Sequence, residues 1–155
     1  LPKKNMEDFF RLSALMPEKV FNLYALGYKT DELIKANNIL GGRVNFIPPV
    51  EPDDMLEHYK KHEWLVYTAS STINKVGWPL AIAEAQAAGV GVCMQRARPD
   101  LVEYVGNAGF LFDSIEVAAE IISKPFPMEC RERGFELAKR SDINKHISCL
   151  TDLWK

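Results

Sequence analysis

The sequence predicts an α/β fold: an open parallel sheet covered by helices on both faces. Three observations lead there. Short β-rich runs alternate with helical stretches along the chain, the pattern of repeated strand–helix–strand units. Several strand candidates are almost continuously apolar, as strands buried on both faces are. Glycine and proline close these runs and seldom interrupt them.

Met6–Ala14 reads as a helix ahead of the first strand, Lys19–Ala25 (KVFNLYA), which Gly27 closes. Thr30–Asn37 follows as a helix with Thr30 or Asp31 as N-cap and Gly41-Gly42 beyond its end. Arg43–Ile47 is a second strand, stopped by Pro48-Pro49. In the helix Asp53–Lys61, Met55, Leu56 and Tyr59 share a face. Trp64–Thr68 (WLVYT) is the third strand and Ala69–Val76 a polar loop. Trp78–Ala88 is a helix with Pro79 in its first turn, where a missing N–H costs nothing. Gly89 ends it, and Val90–Met94 is the fourth strand. A short helix at Pro99–Val105 precedes the fifth strand, Gly109–Phe112. Helices at Ile115–Ile122, Pro127–Ala138 and Ile143–Leu153 complete the chain.

The 155 residues suit one domain, 1–155, with a sizeable core. A content of 47% hydrophobic and 26% charged residues, with net charge −2, argues against disorder. No arginine- or lysine-rich stripe points to nucleic acid. Cys93, Cys130 and Cys149 are far apart and odd in number, without metal spacing, which fits reduced thiols in a cytoplasm. No apolar run approaches the ~18 residues of a membrane span, and no signal peptide is visible. The opening Leu1-Pro2, without Met, suggests a piece of a longer protein.

Ligands of open parallel sheets bind beyond the carboxyl ends of the strands, so the loops after strands one, three and four hold the candidates. The most informative stretch is Val76–Gly89 (VGWPLAIAEAQAAG), a loop that turns into a helix after a buried strand. Gly77 lets a ligand approach the backbone. Trp78 and Leu80 supply free N–H groups at the helix start, where the dipole favours an anion. Glu84 stands about five residues on, roughly 7–8 Å along the axis at ~1.5 Å per residue. That separation suits phosphates at the helix start and a ribose beside it. The simpler reading is an ordinary packed helix with Glu84 on its solvated side.

This stretch resembles the donor-site motif of retaining GT-B glycosyltransferases of the large "group one" family, roughly E-G-F-G-L-x-x-x-E-A-x-A-x-G. Gly77, Trp78, Leu80, Glu84, Ala85, Ala87 and Gly89 match it. Downstream, Pro99–Asp113 (PDLVEYVGNAGFLFD) is similar to the family run P-x-L-x-E-x-V-G-D-A-G-L-L-F-D. Lys4-Asn5 resembles the family's Lys-Gly, and Val44–Pro48 its second strand and turn. The resemblance covers nearly the whole chain. It implies a Rossmann-like donor-nucleotide-binding domain, one half of a GT-B fold, whose N-terminal acceptor-binding partner lies outside this sequence.

The departures have chemical consequences. The family's first glutamate, which contacts the donor sugar, falls on Val76, and valine can neither accept a hydrogen bond nor carry charge. Asn74 or Lys75, in a loop longer than usual, are candidates to replace that contact. The arginine that precedes the Lys4 position in the family lies before this chain's start, leaving Lys4 as the candidate diphosphate cation. A lysine so near a frayed terminus is more often solvated. Arg96 and Arg98 follow strand four and suit a phosphate or plain solvation. Ser70 and Ser71 suit a phosphate or a turn cap. His58, His62 and His146 lack carboxylate partners at catalytic spacing and read as structural. Glu103 matches a family glutamate or serves as a cap.

The expected activity is metal-independent retaining transfer from a nucleotide sugar, UDP-linked by family habit, with no cofactor beyond that substrate. The isolated chain is expected to be inactive. The alternatives are a non-catalytic nucleotide-sugar-binding module, favoured by Val76, and a sugar-nucleotide epimerase of the same fold.

Overall fold

The structure, a computed structural model, describes residues 4–25, 27, 29–70 and 79–153. All five predicted strands form: β1 Phe21–Tyr24, β2 Val44–Ile47, β3 Trp64–Tyr67, β4 Gly91–Gln95 and β5 Phe110–Phe112. Around them lie α1 Met6–Leu15, α2 Thr30–Ile39, α3 Met55–Lys60, α4 Leu80–Ala87, α5 Leu101–Val105, α6 Ile115–Ile122, α7 Met128–Ala138 and α8 Ile147–Leu153. Every strand pair is parallel.

The strands fall into two ladders where one sheet was expected. One is β1-β2; the other is β3-β4-β5, with β4 in the middle. Side chains join them: Asn22 on β1 bonds His62, two residues before β3, at 2.8 Å. The expectation of a doubly covered sheet holds at β4, where Gly91 to Met94 are all buried. Because a strand sends successive side chains to opposite faces, Cys93 enters one core, with Phe10, Phe21, Val44 and Phe112. Val92 and Met94 enter the other, with Tyr67, Ile82, Leu101 and Val105. The first core lies under α1 and α6, the second under α4 and α5. Since β1 and β2 share the first core with β4 and α6, both ladders are packed into one body.

Helix ends depart from expectation by a residue or two in several places, and three of the departures have a visible cause. Pro79 has ψ 89°, outside the helical range, so α4 starts at Leu80 and not at Trp78, which lies outside the described residues. At α2 the cap position is Lys29, at φ 57°, and Thr30 is already helical, its hydroxyl buried without a partner among the described residues. The expected last helix is broken. A 3₁₀ turn at Ile143–Lys145, with the Asp142 side chain accepting from Asn144 N–H, is separated from α8 by His146 at φ −112°. Gly89 ends α4 as expected: at φ 74° it takes the left-handed conformation, and Val90 N–H reaches back to Ala85 C=O at 2.8 Å. Among the described residues no helix is long and apolar enough to cross a membrane.

Candidate functional site

Parallel pairing puts the carboxyl ends of β3, β4 and β5 at one edge. Three segments meet there: Thr68–Ser70 after β3, Arg96–Arg98 after β4, and the start of α1. The third arrives because Asn5, the α1 N-cap, is left-handed (φ 43°, ψ 52°). Asparagine tolerates that conformation better than most residues, which gives a physical sense to its standing where the resembled motif has glycine.

A polar network fixes this corner. The Thr68 hydroxyl donates to Lys4 C=O at 2.6 Å. The Gln95 side-chain oxygen accepts from Ala69 N–H at 3.0 Å and from Asn5 Nδ2 at 3.4 Å. Asp8 accepts from Asn5 Nδ2 at 2.5 Å and from Gln95 Nε2 at 3.4 Å. Lys4 itself is exposed. Its ammonium donates to the Tyr67 hydroxyl at 2.6 Å and sits 4.3 Å from the centre of that ring. The Lys4 ammonium thus lies at the end of β3.

Glu84 lies on α4 four residues after Leu80, about 6 Å along the axis, a little less than the sequence suggested. Its side chain is exposed, yet one oxygen is occupied: Oε2 accepts from the Tyr59 hydroxyl at 2.9 Å. Burial of Tyr59, followed by its hydrogen bond to Glu84, raises the phenol above its ordinary range, so it remains a donor at neutral pH. At the helix start, Ile82 N–H turns back to Pro79 C=O, and the preceding N–H groups of Leu80 and Ala81 have no acceptor within the helix. Leu80 is exposed there.

The other candidates are less favourably placed. Arg96 pairs with Asp113 at 3.2 Å on the open surface, a contact of small strength that an anion can exchange for. Arg98 forks onto Asp100 at 3.0 and 2.8 Å. Glu103 lines a groove with Ile82, Tyr104 and Arg140, between α4, α5 and the end of α7. His58 and His62 pack edge-on against Tyr24 at 5.4 and 5.9 Å and tie β1 to α3. Gly77, Trp78, Asn74, Lys75 and Val76 lie outside the described residues. Among the described residues, no three His, Cys, Asp or Glu side chains gather as a metal site requires.

Sequence reading missed Tyr67, Gln95 and the polar role of Tyr59. Tyr67 stands in a strand run and Tyr59 on an apolar helix face; the first is buried and the second packs partly buried against the same core, and only the tertiary structure shows what their hydroxyls touch.

A family model described as "Glycosyl transferases group 1" matches residues 1–124. No curated protein sequence matches the chain. Among solved structures, the chain is similar to the C-terminal domain of LpcC, a glycosyl transferase group 1 family protein from Francisella tularensis. The identity is 18% and the TM-score 0.64, over 89% of this chain and 79% of that one. It is similar to Anabaena HepE, solved in complex with UDP-glucose, at 19% identity and TM-score 0.74, over 98% of this chain and 46% of that one. It is also similar to AviGT4, a glycosyltransferase involved in avilamycin A biosynthesis, at 16% identity and TM-score 0.66, over 91% and 46% of the two chains. The chain thus spans under half of HepE and of AviGT4, and at these identities the likeness is one of fold.

Proposed function

The chain belongs to the group 1 glycosyl transferases, and on that footing we propose that it is the half of such an enzyme that binds the nucleoside diphosphate of a sugar donor. The observation that carries this reading is the seating of the exposed Lys4 ammonium at the carboxyl end of β3. That is the edge where open parallel sheets bind their ligands. The α4 start offers N–H groups at the same edge, and Glu84 offers a carboxylate one helical turn further on. Phosphate oxygens would meet Lys4 and the helix start, and ribose hydroxyls would meet Glu84. Arg96, just after β4, would be a further cation there on exchanging Asp113 for a phosphate.

The chemistry proposed is retaining transfer without a metal. The leaving diphosphate gains negative charge as the glycosidic bond breaks, and fixed N–H dipoles and an ammonium stabilise that charge. The acceptor would be held by a second half, and the reaction would run between the two. HepE was solved with UDP-glucose, which supports trying a uridine nucleotide first. Val76 favours a second reading, a nucleotide-sugar-binding module without turnover, because the resembled motif has a sugar-contacting glutamate at that position.

Titration of the chain with UDP, GDP and ADP, with and without EDTA, tests the proposal. One of the three should bind, with the same affinity in EDTA. Binding that disappears with EDTA, or no binding by any of the three, would overturn it.

A further inference from the structure

Lys4 is bonded at its carbonyl by the residue after β3 and at its head by the last residue of β3. Thr68 takes its carbonyl. Asn5, the next residue, is tied to Gln95 on β4 and to Asp8 one turn into α1. What remains free is the long side chain, which solvent would spread over many rotamers. Tyr67 gives it a partner. Its ring is buried, at 8% exposure, in the core beneath α4. Its hydroxyl emerges at the end of β3 to accept one ammonium N–H at 2.6 Å. An ammonium has three N–H donors, so two remain for oxygens arriving from solvent.

We propose that Tyr67 is a positioning residue: it holds the Lys4 ammonium at the β3 edge so that the diphosphate of a nucleotide meets a cation already in place. The inference rests on the nucleoside-diphosphate reading above. It adds a specificity: the device acts on the charged part of the ligand and leaves the nucleoside part untouched. Phenylalanine at position 67 keeps the ring, the core packing and the face against which Lys4 lies. It removes only the hydroxyl acceptor.

The test is calorimetric titration of the wild-type chain, Tyr67→Phe, Lys4→Met and the double variant with UDP, GDP and ADP and with their nucleosides. Thermal unfolding checks that each variant is folded. Tyr67→Phe should weaken the diphosphate that binds best by about 3- to 10-fold, the scale of one hydrogen bond. It should leave the matching nucleoside unchanged. On the Lys4→Met background it should add nothing, because Tyr67 acts through Lys4. Equal losses for diphosphate and nucleoside would mean that Tyr67 only shapes the pocket, and additive losses would mean that it acts apart from Lys4; either overturns the inference. A Lys4→Met chain that binds diphosphate as tightly as wild type overturns it while leaving the donor-binding reading intact. If no diphosphate binds wild type, both fall together.

Discussion

Glu84→Ala removes the one carboxylate of the motif that the described residues place, and the structure sets the size of the effect. Oε2 is taken by the Tyr59 hydroxyl at 2.9 Å, which orients the group and leaves Oε1 open for a ribose hydroxyl. A hydrogen bond to a charged group contributes about 1.5–3 kcal/mol. Glu84 is exposed, so water competes and the lower end applies, ~1.5 kcal/mol, or about tenfold in Kd. Folding should barely register the change. Alanine is the better helix former, and the freed phenol hydroxyl lies beside an exposed position where water can replace its partner. The expected stability change is within about 0.5 kcal/mol, as for other surface substitutions. The assay is titration of wild type and variant with the nucleoside diphosphate that binds and with its 2′-deoxy form. The variant should lose about tenfold for the ribonucleotide and clearly less for the deoxy form, which already lacks one partner. An unchanged affinity in a folded variant, or equal losses for both nucleotides, would refute the ribose assignment.

Other outcomes follow from packing and burial. Gly109→Ala should lower stability by about 1–3 kcal/mol in denaturant melts. The new Cβ would stand 2.7 Å from the Val92 carbonyl oxygen and 2.9 Å from Val105 Cγ1, backbone and core that cannot simply swing away. Burial pushes the Cys93 thiol up to about 12, so thiol reagents should label exposed Cys149 in the native chain and reach Cys93 only on unfolding. Because folding favours the protonated thiol, that contribution is complete below the ordinary thiol range and is lost as pH rises toward 12; Cys93→Ala should flatten the alkaline fall in thermal stability. Tyr59, also raised, has the same sign: its contribution fades as pH climbs past the ordinary tyrosine range near 10, and Tyr59→Phe should remove that part of the decline.

The parts of the fold that were legible are those written locally. β4 is apolar from Gly91 to Met94, where both of its faces are covered, and such a short buried run bounded by glycine reads as a strand. Gly89 marks the end of α4 because a left-handed residue is needed there. The division into two ladders was not legible, since it depends on how β1 meets the end of α3, and the join is made by Asn22 and His62, 40 positions apart. Periodicity over a few residues carries no information on such a pair. The α4 start was misplaced because Pro79 was read as a first-turn residue, when its own ψ keeps it outside the helix. The broken last helix has a similar cause. The Asp142 side chain caps a short turn, and such local bonding competes with helix continuation.

The candidate site divides along the same line, and that division bears on how such sites are found. The motif residues are consecutive or one helical turn apart, so a sequence can present Glu84 and the helix start as a unit. The groups that hold the side chains in place come from afar: Tyr67 meets Lys4 across 63 positions, and Tyr59 meets Glu84 across 25. Each is an aromatic whose ring satisfies a core and whose hydroxyl serves the edge. A tyrosine in that position is under two demands at once, one from packing and one from polarity. Phenylalanine meets the first and fails the second. Substituting phenylalanine at each position therefore separates what the core needs from what the ligand needs, which neither the motif nor the packing alone can do.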